Sequence, residues 1–234
     1  MASRGNHPRA ASSIKDAVGR LLFRFNAFPF VGNPDYQTNV DLRLSCLCGE
    51  VTGAVRRHSR ELSNRGVCYC RDCRGFLRFL ERPDLLDANG GTDIFQVAQG
   101  QVSFTEESAK HLACVRLSHK GMHRFYSLCC KTPLGNTISA GIPFVGLPAA
   151  LLADVEMREL SLQPPVAIQT RSAIGGKLAS SSFAEIAMLF RFAGLLARWK
   201  LGGHGKPSPY FDDGSSPRVE PTVLPPEARA RLND

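Results

Sequence analysis

The sequence lacks the patterns that mark several common classes of protein. No stretch of about 20 apolar residues occurs in the chain, which argues against a transmembrane helix. The formal net charge is +8, but basic residues form no block and do not alternate with aromatic residues, so there is no strong signal for nucleic-acid binding. No nucleophile–histidine–acid pattern and no glycine-rich phosphate loop is found. The remaining candidate for chemistry is the cysteine pattern.

The first 40 residues also lack the features of a targeting signal. They are basic and polar, and the apolar run at residues 21–31 is interrupted by Arg24 and Asn26, unlike the apolar core of a secretory signal. We therefore expect residues 1–40 to be a leader that is disordered or loosely docked. A cytoplasmic, reducing location is expected, in which clustered cysteines favour metal binding over disulfides.

Seven of the eight cysteines fall into three clusters. The clusters are Cys46 and Cys48, then Cys68, Cys70 and Cys73, then Cys129 and Cys130. Thiolates bind one Zn²⁺ at about 2.3 Å each, and four of them close a tetrahedral site. Seven thiols do not make two sets of four. The count predicts two zinc ions, one in a closed structural site and one held by three thiolates with an open position, as at a catalytic zinc.

The middle cluster, C-x-C-x-x-C, is the most specific signal. Cys70 and Cys73 can lie on one side of a turn, and Cys68 shares a strand face with Cys70. The fourth position is then open to water or a substrate sulfur, which makes these three cysteines the candidate catalytic residues. The flanking Arg71 and Arg74 favour an anionic substrate, although both also suit an ordinary surface. The alternative is that a fourth protein ligand, such as a histidine, closes the site; none of the six histidines has a metal-like spacing to a cysteine.

The outer clusters predict the structural site. Cys46 and Cys48 lie in a C-x-C-G knuckle, and a second knuckle near residue 130 has to supply the other ligands. Adjacent side chains diverge in an extended chain, so Cys130 is the safer ligand and Cys129 the uncertain one. Cys114 stands alone in a predicted strand and is expected to be a small buried hydrophobe.

Hydrophobic periodicity predicts a mainly β domain of short antiparallel strands at residues 41–155. The expected elements are two strands around a turn at 41–57, a strand end at 66–70, a helix from Cys73 to Leu80 capped by Asp72, a hairpin formed by 92–98 and 101–104, and a second hairpin formed by 111–118 and 122–128. Residues 131–150 are rich in glycine and proline and are expected to be mostly loop.

Residues 156–234 are predicted to be an extension with a helix at 183–199, an extended tail and a short final helix at 225–232. Apolar residues cover most of the circumference of the longer helix, so it is expected to be buried on more than one side. It would pack on the β domain or on a partner subunit as part of a homo-oligomer. Membrane association is the alternative, since Arg191, Arg198 and Lys200 suit an interface.

The cysteine motifs resemble the glutathione-dependent formaldehyde-activating enzyme family, which includes centromere-protein-V-like domains. The resemblance covers about residues 41–138 and rests on three motifs in order: Cys46-x-Cys48-Gly49-x-Val51, Cys68-x-Cys70-x-x-Cys73-Arg74 and Cys130-Lys-Thr132-Pro133-Leu134. It implies a zinc-bearing β-tent fold. It further implies that Cys46, Cys48 and Cys130 hold a structural zinc and that Cys68, Cys70 and Cys73 hold a zinc implicated in carbon–sulfur chemistry.

The late motif departs from the family pattern. The family usually has C-x-x-C-G-T, and here Ser127 stands at the first cysteine and Lys131 at the glycine. Either Cys129 takes over by a local shift, or the structural site is weaker or absent. The C-terminal extension is not part of the basic domain and is similar to a divergent branch of the family.

Three functions are therefore open from the sequence. The first is a zinc-dependent carbon–sulfur lyase acting on a glutathione or other thiol adduct. The second is a non-catalytic zinc module for protein interaction or self-association through helix 183–199. The third is association with nucleic acid or chromatin. It is suggested by the net positive charge of the chain and by distant relatives in the resembled family.

Overall fold

The computed structural model describes residues 40–153, 164–176, 178 and 182–232. The described part is mainly β with a C-terminal helix, which confirms the predicted fold class. The leader predicted for residues 1–40 lies almost wholly outside the described residues. The division of the chain at residues 40 and 155 stays a prediction. No helix within the described ranges is long and apolar enough to cross a membrane.

The described strands form two sheets. The small sheet has the order β1-β2-β5, with β1 at Val40–Ser45, β2 at Thr52–His58 and β5 at Val102–Phe104. The large sheet has the order β10-β3-β4-β9-β8-β7-β6-β11. Its strands are β3 Asn64–Cys68, β4 Thr92–Ala98, β6 Leu112–Arg116, β7 His123–Ser127, β8 Pro133–Thr137, β9 Phe144–Pro148, β10 Val166–Ile168 and β11 Thr222–Val223. Pairing is antiparallel except at the two edges, where β10 runs parallel to β3 and β11 parallel to β6.

The main core contains buried residues from both sheets. In β1, burial alternates, so Leu42 and Leu44 are buried while their neighbours are more exposed. They belong to one cluster with residues of the large sheet such as Phe95 and Leu147, all with side chains removed from water. Alternation on a strand places every second residue on one face, which explains how a short polar-apolar pattern builds this core. Tyr210, from the C-terminal tail, joins the same cluster and is fully buried.

Two of the predicted strand pairs are confirmed. Strands β1 and β2 pair antiparallel around the turn that holds the first cysteine knuckle. Strands β6 and β7 also pair antiparallel, with Leu112 opposite Ser127. Both pairs are local along the chain and have a turn of suitable composition between them, which is the situation that periodicity identifies best.

The hairpin predicted for 92–104 is wrong. Strand β4 pairs with β3 and β9, whereas β5 pairs with β2 in the other sheet. A 3-10 turn at Gln99–Gln101 transfers the chain from one sheet to the other. The turn is held by the buried Gln99 amide, which donates to Thr137 Oγ1 at 2.8 Å and to the carbonyl oxygen of Ile142 at 2.7 Å.

The loop predicted for 131–150 is also wrong, since it contains β8 and β9. Pro133 begins β8 and Pro148 ends β9, and a proline at the end of a strand costs little ladder hydrogen bonding. Gly135, inside β8, has φ +154° and lies so close to the Tyr210 hydroxyl that a Cβ would meet it at 2.6 Å. Proline and glycine therefore occur here at strand ends and at a close approach.

The described helices are α1 at Arg71–Phe79, α2 at Ser182–Leu201 and α3 at Pro226–Arg231. Helix α1 packs Phe76 and Leu77 against Val115 of β6. Its predicted cap is wrong: Cys70, not Asp72, is the N-cap residue, and its sulfur accepts a hydrogen bond from the backbone N–H of Cys73 at 3.3 Å.

Helix α2 is buried on one side only, contrary to the expectation from its apolar circumference. Leu195 and Trp199 are buried in a cluster with Phe144 of β9, and Met188 is also buried. Arg191 fixes the same side, because its Nη2 donates to the carbonyl oxygens of Arg60 at 2.7 Å and Ser63 at 3.0 Å. The opposite side contains aromatic residues that stand in solvent.

Candidate metal centres

Cys46, Cys48, Cys129 and Cys130 form one cluster in which all sulfur atoms lie within 4.8 Å of one another. The Cys46 sulfur lies 3.5 Å from Cys48 and 3.9 Å from Cys129. The Cys129 sulfur lies 3.4 Å from Cys48 and 3.8 Å from Cys130. A tetrahedral tetrathiolate site with metal–sulfur bonds of about 2.3 Å places its sulfurs about 3.8 Å apart. The four thiols therefore fit a closed metal site.

The first knuckle is built by the turn between β1 and β2. The Cys46 backbone N–H donates to the Val51 carbonyl oxygen at 2.8 Å, and the Val51 N–H donates to the Cys46 sulfur at 3.2 Å. Gly49 has φ +86°, a left-handed conformation that glycine adopts without steric cost. The turn therefore points both sulfurs to the same side.

The second knuckle explains how two adjacent cysteines reach one point. Residues 128–130 form a turn rather than an extended chain, and the Lys131 N–H donates to the Ser127 carbonyl oxygen at 2.9 Å. Lys131 has φ +54°, a left-handed conformation that glycine adopts more readily than lysine. In this turn Cys129 and Cys130 no longer diverge, and the uncertain ligand Cys129 joins the cluster.

Ser127 stands where the late motif of the formaldehyde-activating family usually has a cysteine. Its side chain contacts the cluster on the buried side. It is fully buried, its hydroxyl lies 3.3 Å from the Cys130 sulfur, and it accepts from the Thr132 N–H at 2.9 Å. The Thr132 hydroxyl lies 3.0 Å from the same sulfur. Although burial alone raises the pKa of the Cys130 thiol, the hydrogen bonds from Ser127 and Thr132 outweigh it and lower that pKa to about 5. Cys130 is thus prepared as a thiolate, the form that binds metal.

Cys68, Cys70 and Cys73 form a second cluster, with sulfurs again within 4.8 Å of one another. Cys68 ends β3, Cys70 caps α1 and Cys73 lies in its first turn. Within the described residues no fourth cysteine, histidine or carboxylate joins this cluster. The donor set fits a soft metal ion that keeps one position free of protein ligands.

The start of α1 favours a thiolate at Cys70. Hydrogen bonds from the Cys68 and Cys73 thiols, with the Cys73 N–H and the charge of Arg124, lower the pKa of Cys70 to about 2. The hydrogen bonding that stabilises the Cys70 thiolate also raises the pKa of Cys68. A helix N-terminus adds partial positive charge at the same place. Negative charge in this cluster is therefore favoured at Cys70.

The second cluster opens on a cavity of about 340 Å³. Its walls combine residues from β3, β4, β7, β8, β9, β10 and α2 with the three cysteines. They include apolar side chains (Ile94, Phe144, Ile168, Met188) and polar ones (Asp72, Gln96, Lys120, Arg124, Asn136). The first cluster is absent from this lining. The cluster of three thiols therefore has room for a small molecule beside it.

Arg124 is the buried cation in the lining of this cavity. It is only 3% exposed, its Nη1 donates to Asn136 Oδ1 at 3.3 Å, and its guanidinium carbon lies 5.3 Å from the centre of the Phe76 ring. A buried guanidinium needs anionic or strongly polar partners. Its proximity to the thiols is reflected in its lowering of the pKa of Cys70.

The arginines singled out from the sequence lie elsewhere. Arg71 is exposed, and Arg74 is buried with its Nη1 donating to the Ser172 carbonyl oxygen at 3.0 Å. Neither lines the cavity. Sequence reasoning missed Arg124, for which the only signal was a charged residue beside Phe125 in a strand of the second predicted hairpin. Cys114 is buried in β6, as predicted for a small hydrophobe.

A comparison with protein-family models finds one match, a family of unknown function (DUF6151), over residues 39–220. The chain belongs to this family. The match spans both cysteine clusters, the cavity and α2, so the site and the C-terminal helix are parts of one family unit. A search of curated proteins finds no match.

Proposed function

We propose that the protein is a zinc-dependent carbon–sulfur lyase-like enzyme that acts on a glutathione or other thiol adduct. The observation that supports this best is the difference between the two clusters. Four thiols surround one point in the first cluster, whereas three thiols in the second face a cavity of about 340 Å³. The first is suited to a structural zinc and the second to chemistry. The resemblance of the three motifs to the formaldehyde-activating family points the same way.

The second cluster would hold zinc through Cys68, Cys70 and Cys73. Zinc bound there would supply a Lewis acid whose open position accepts a substrate sulfur as thiolate. In a hemithioacetal, the carbon–sulfur bond breaks with its electron pair going to sulfur, while the hydroxyl oxygen forms a carbonyl group and loses its proton. The reverse reaction joins a thiol and an aldehyde.

The chain's own residues would position and select the adduct. Arg124 is placed to bind a carboxylate of the thiol compound, and Asn136 orients its guanidinium through the 3.3 Å hydrogen bond. Ile168 and Met188 form an apolar wall beside the thiols, which limits water near the reacting carbon. Lys120, exposed at the rim, adds a second positive charge toward an anionic substrate.

The test combines zinc content with turnover. The purified wild-type protein is expected to contain about two zinc ions per chain, one of them removed by a mild chelator. Cys73→Ser is expected to keep the fold, to lose about one zinc and to abolish exchange between glutathione and its formaldehyde adduct, followed by NMR. Cys114→Ala is the matched control, since it removes a buried thiol outside both clusters and should keep zinc and turnover.

Two results would count against the proposal. Unchanged turnover in Cys73→Ser would remove the second cluster from the chemistry. A single tightly bound zinc without turnover in the wild type would favour a non-catalytic zinc module.

A further inference from the structure

Helix α2 presents a continuous apolar strip to solvent. Phe183 and Phe190 are 72% and 74% exposed, and Leu201 is 89% exposed. Exposed residues recur along the helix at spacings of three and four, and all of them on this face are apolar or small. We call this set the α2 seam: Phe183, Ile186, Ala187, Phe190, Ala193, Gly194, Ala197 and Leu201. A strip with this spacing is the kind that packs against another helix.

The other side of α2 is already occupied by its own domain. Trp199 and Leu195 are buried, and Arg191 donates to backbone carbonyl oxygens of the segment before β3. These contacts fix the rotation of the helix about its axis. Rotating the helix to turn the seam toward the β domain would break these contacts.

The two halves of the seam differ in size. The N-terminal half has the bulky Phe183, Ile186 and Phe190, whereas the C-terminal half has the small residues Ala193, Gly194 and Ala197 before the one bulky residue at its end, Leu201. A Cβ added at Gly194 would meet nothing within 4 Å, so the helix surface is open at this position. The face therefore has a ridge at one end and a matching depression at the other, which is the condition for self-complementarity under a two-fold axis.

The exposed area suits a pair of copies. Phe183 and Phe190 alone expose on the order of 300 Å², and the exposed leucine and isoleucine side chains raise the strip to roughly 600 Å². The largest apolar patch on a monomer is typically about 300–600 Å² and often functional. Two such strips facing each other would bury roughly 1,200 Å², the lower end of the range for specific interfaces.

We infer that two copies of the chain associate through the α2 seam with the two helices antiparallel. In this arrangement Phe183 of each copy faces the region of Ala197 of the other, and Ile186 faces Gly194. The two Phe190 side chains meet at the two-fold axis. A parallel pair would in addition oppose Phe183 to Phe183 and Ile186 to Ile186, which would hold the helices apart at the small residues. It would also bring the exposed Arg198 and Lys200 of both copies together, whereas the antiparallel pair separates them and opposes the helix dipoles favourably.

The association is tested by sedimentation velocity on the full-length protein over a range of concentrations. A dimer is expected for the wild type, and Phe190→Glu is expected to raise the dimer dissociation constant at least tenfold. Ile138→Glu is the matched control, because Ile138 is 50% exposed but lies outside α2, and it should leave the dimer unchanged. A wild type that stays monomeric, or a dimer that survives Phe190→Glu, overturns the inference. An equal weakening of the dimer by Phe190→Glu and Ile138→Glu also overturns it.

A second variant guards against misfolding. Gly194→Leu fills the depression without adding charge, and leucine favours the helix more than glycine does. The monomer should therefore be at least as stable to heat as the wild type, while the dimer weakens at least tenfold. An undiminished dimer contradicts the fit of large against small residues. A monomeric wild type that binds phospholipid vesicles through the seam would instead assign the strip to a membrane surface and overturn the dimer.

Photo-cross-linking tests the antiparallel orientation of the two α2 helices. A photoreactive benzoylphenylalanine at position 183 is expected to cross-link to the partner near Ala197, as mapped by mass spectrometry of the dimer band. Cross-links centred on position 183 of the partner would show a parallel pair and would overturn the antiparallel arrangement.

Discussion

The sulfur atoms of Cys48 and Cys129 lie 3.4 Å apart, although the two residues are 81 positions apart in the chain. Both side chains are exposed residues at the tips of turns, one after β1 and the other after β7. The Leu47 N–H donates to Thr132 Oγ1 at 3.1 Å between the same two turns, so the cluster adds a further link between the small sheet and the large one beside their shared core. A metal ion bound by the four thiols would therefore connect the small sheet to the large sheet.

Cys129→Ser should therefore remove a structural ion rather than a surface thiol. We expect loss of about one zinc per chain and a fall in the free energy of unfolding of more than about 4 kcal/mol, the size typical of losing a metal. Zinc content and chemical denaturation measure the two effects. Cys114→Ala, which keeps both clusters, is the control. Full zinc content in Cys129→Ser would mean that Cys130 and the first knuckle suffice.

Ser127→Ala tests the support behind the first cluster. It removes the hydroxyl that lies 3.3 Å from the Cys130 sulfur and leaves the buried Thr132 N–H without its partner at 2.9 Å. Zinc affinity of the first site should fall by about 10–100-fold, as for other residues that support metal ligands. Competition with a chromophoric chelator measures it. Affinity equal to that of the wild type would show that Ser127 only fills space.

The members of the second candidate metal site could be predicted from the sequence because Cys68, Cys70 and Cys73 are close in the chain, whereas the first needs the fold to bring its two knuckles together. That Cys129 belongs to the first cluster could not be predicted. It depends on a turn in which Lys131, a residue other than glycine, adopts φ +54°. That conformation is disfavoured for lysine locally and is maintained by hydrogen bonds on both sides of Ser127. Local sequence rules do not anticipate such compensation.

Strands were predictable where partners are neighbours in the chain, as for β6 and β7. Strand pairing was not predictable where the partner strand is distant in the chain. Gln99 has the composition of a hairpin turn with Gly100, yet its buried amide bonds to residues about 40 positions away and directs β5 to the other sheet. Arg124 was missed for the same reason, since only the folded sheet brings it to the thiols.

The tail was predicted to run extended, and Tyr210 shows that part of it belongs to the core. Its hydroxyl donates to the Leu134 carbonyl oxygen at 2.9 Å in a fully buried setting. Tyr210→Phe would remove this hydrogen bond from a buried carbonyl oxygen, so we expect a loss of about 1–3 kcal/mol in the free energy of unfolding. Chemical denaturation measures it, with Tyr126→Phe at a half-buried tyrosine as the control. A neutral effect would imply that the carbonyl finds another donor.

Arg124 provides the last prediction, because it is the buried cation beside the open cluster. With cobalt in place of zinc, a thiol that enters the cluster changes the visible spectrum. We expect 3-mercaptopropionate to bind the wild type more tightly than propanethiol, and Arg124→Gln to remove most of this preference, about 10–100-fold for a charged hydrogen bond. Arg124→Lys should keep part of it. Equal binding of both thiols to the wild type would exclude Arg124 as a carboxylate partner, whereas no spectral response to either thiol would place the fault in the open metal position itself.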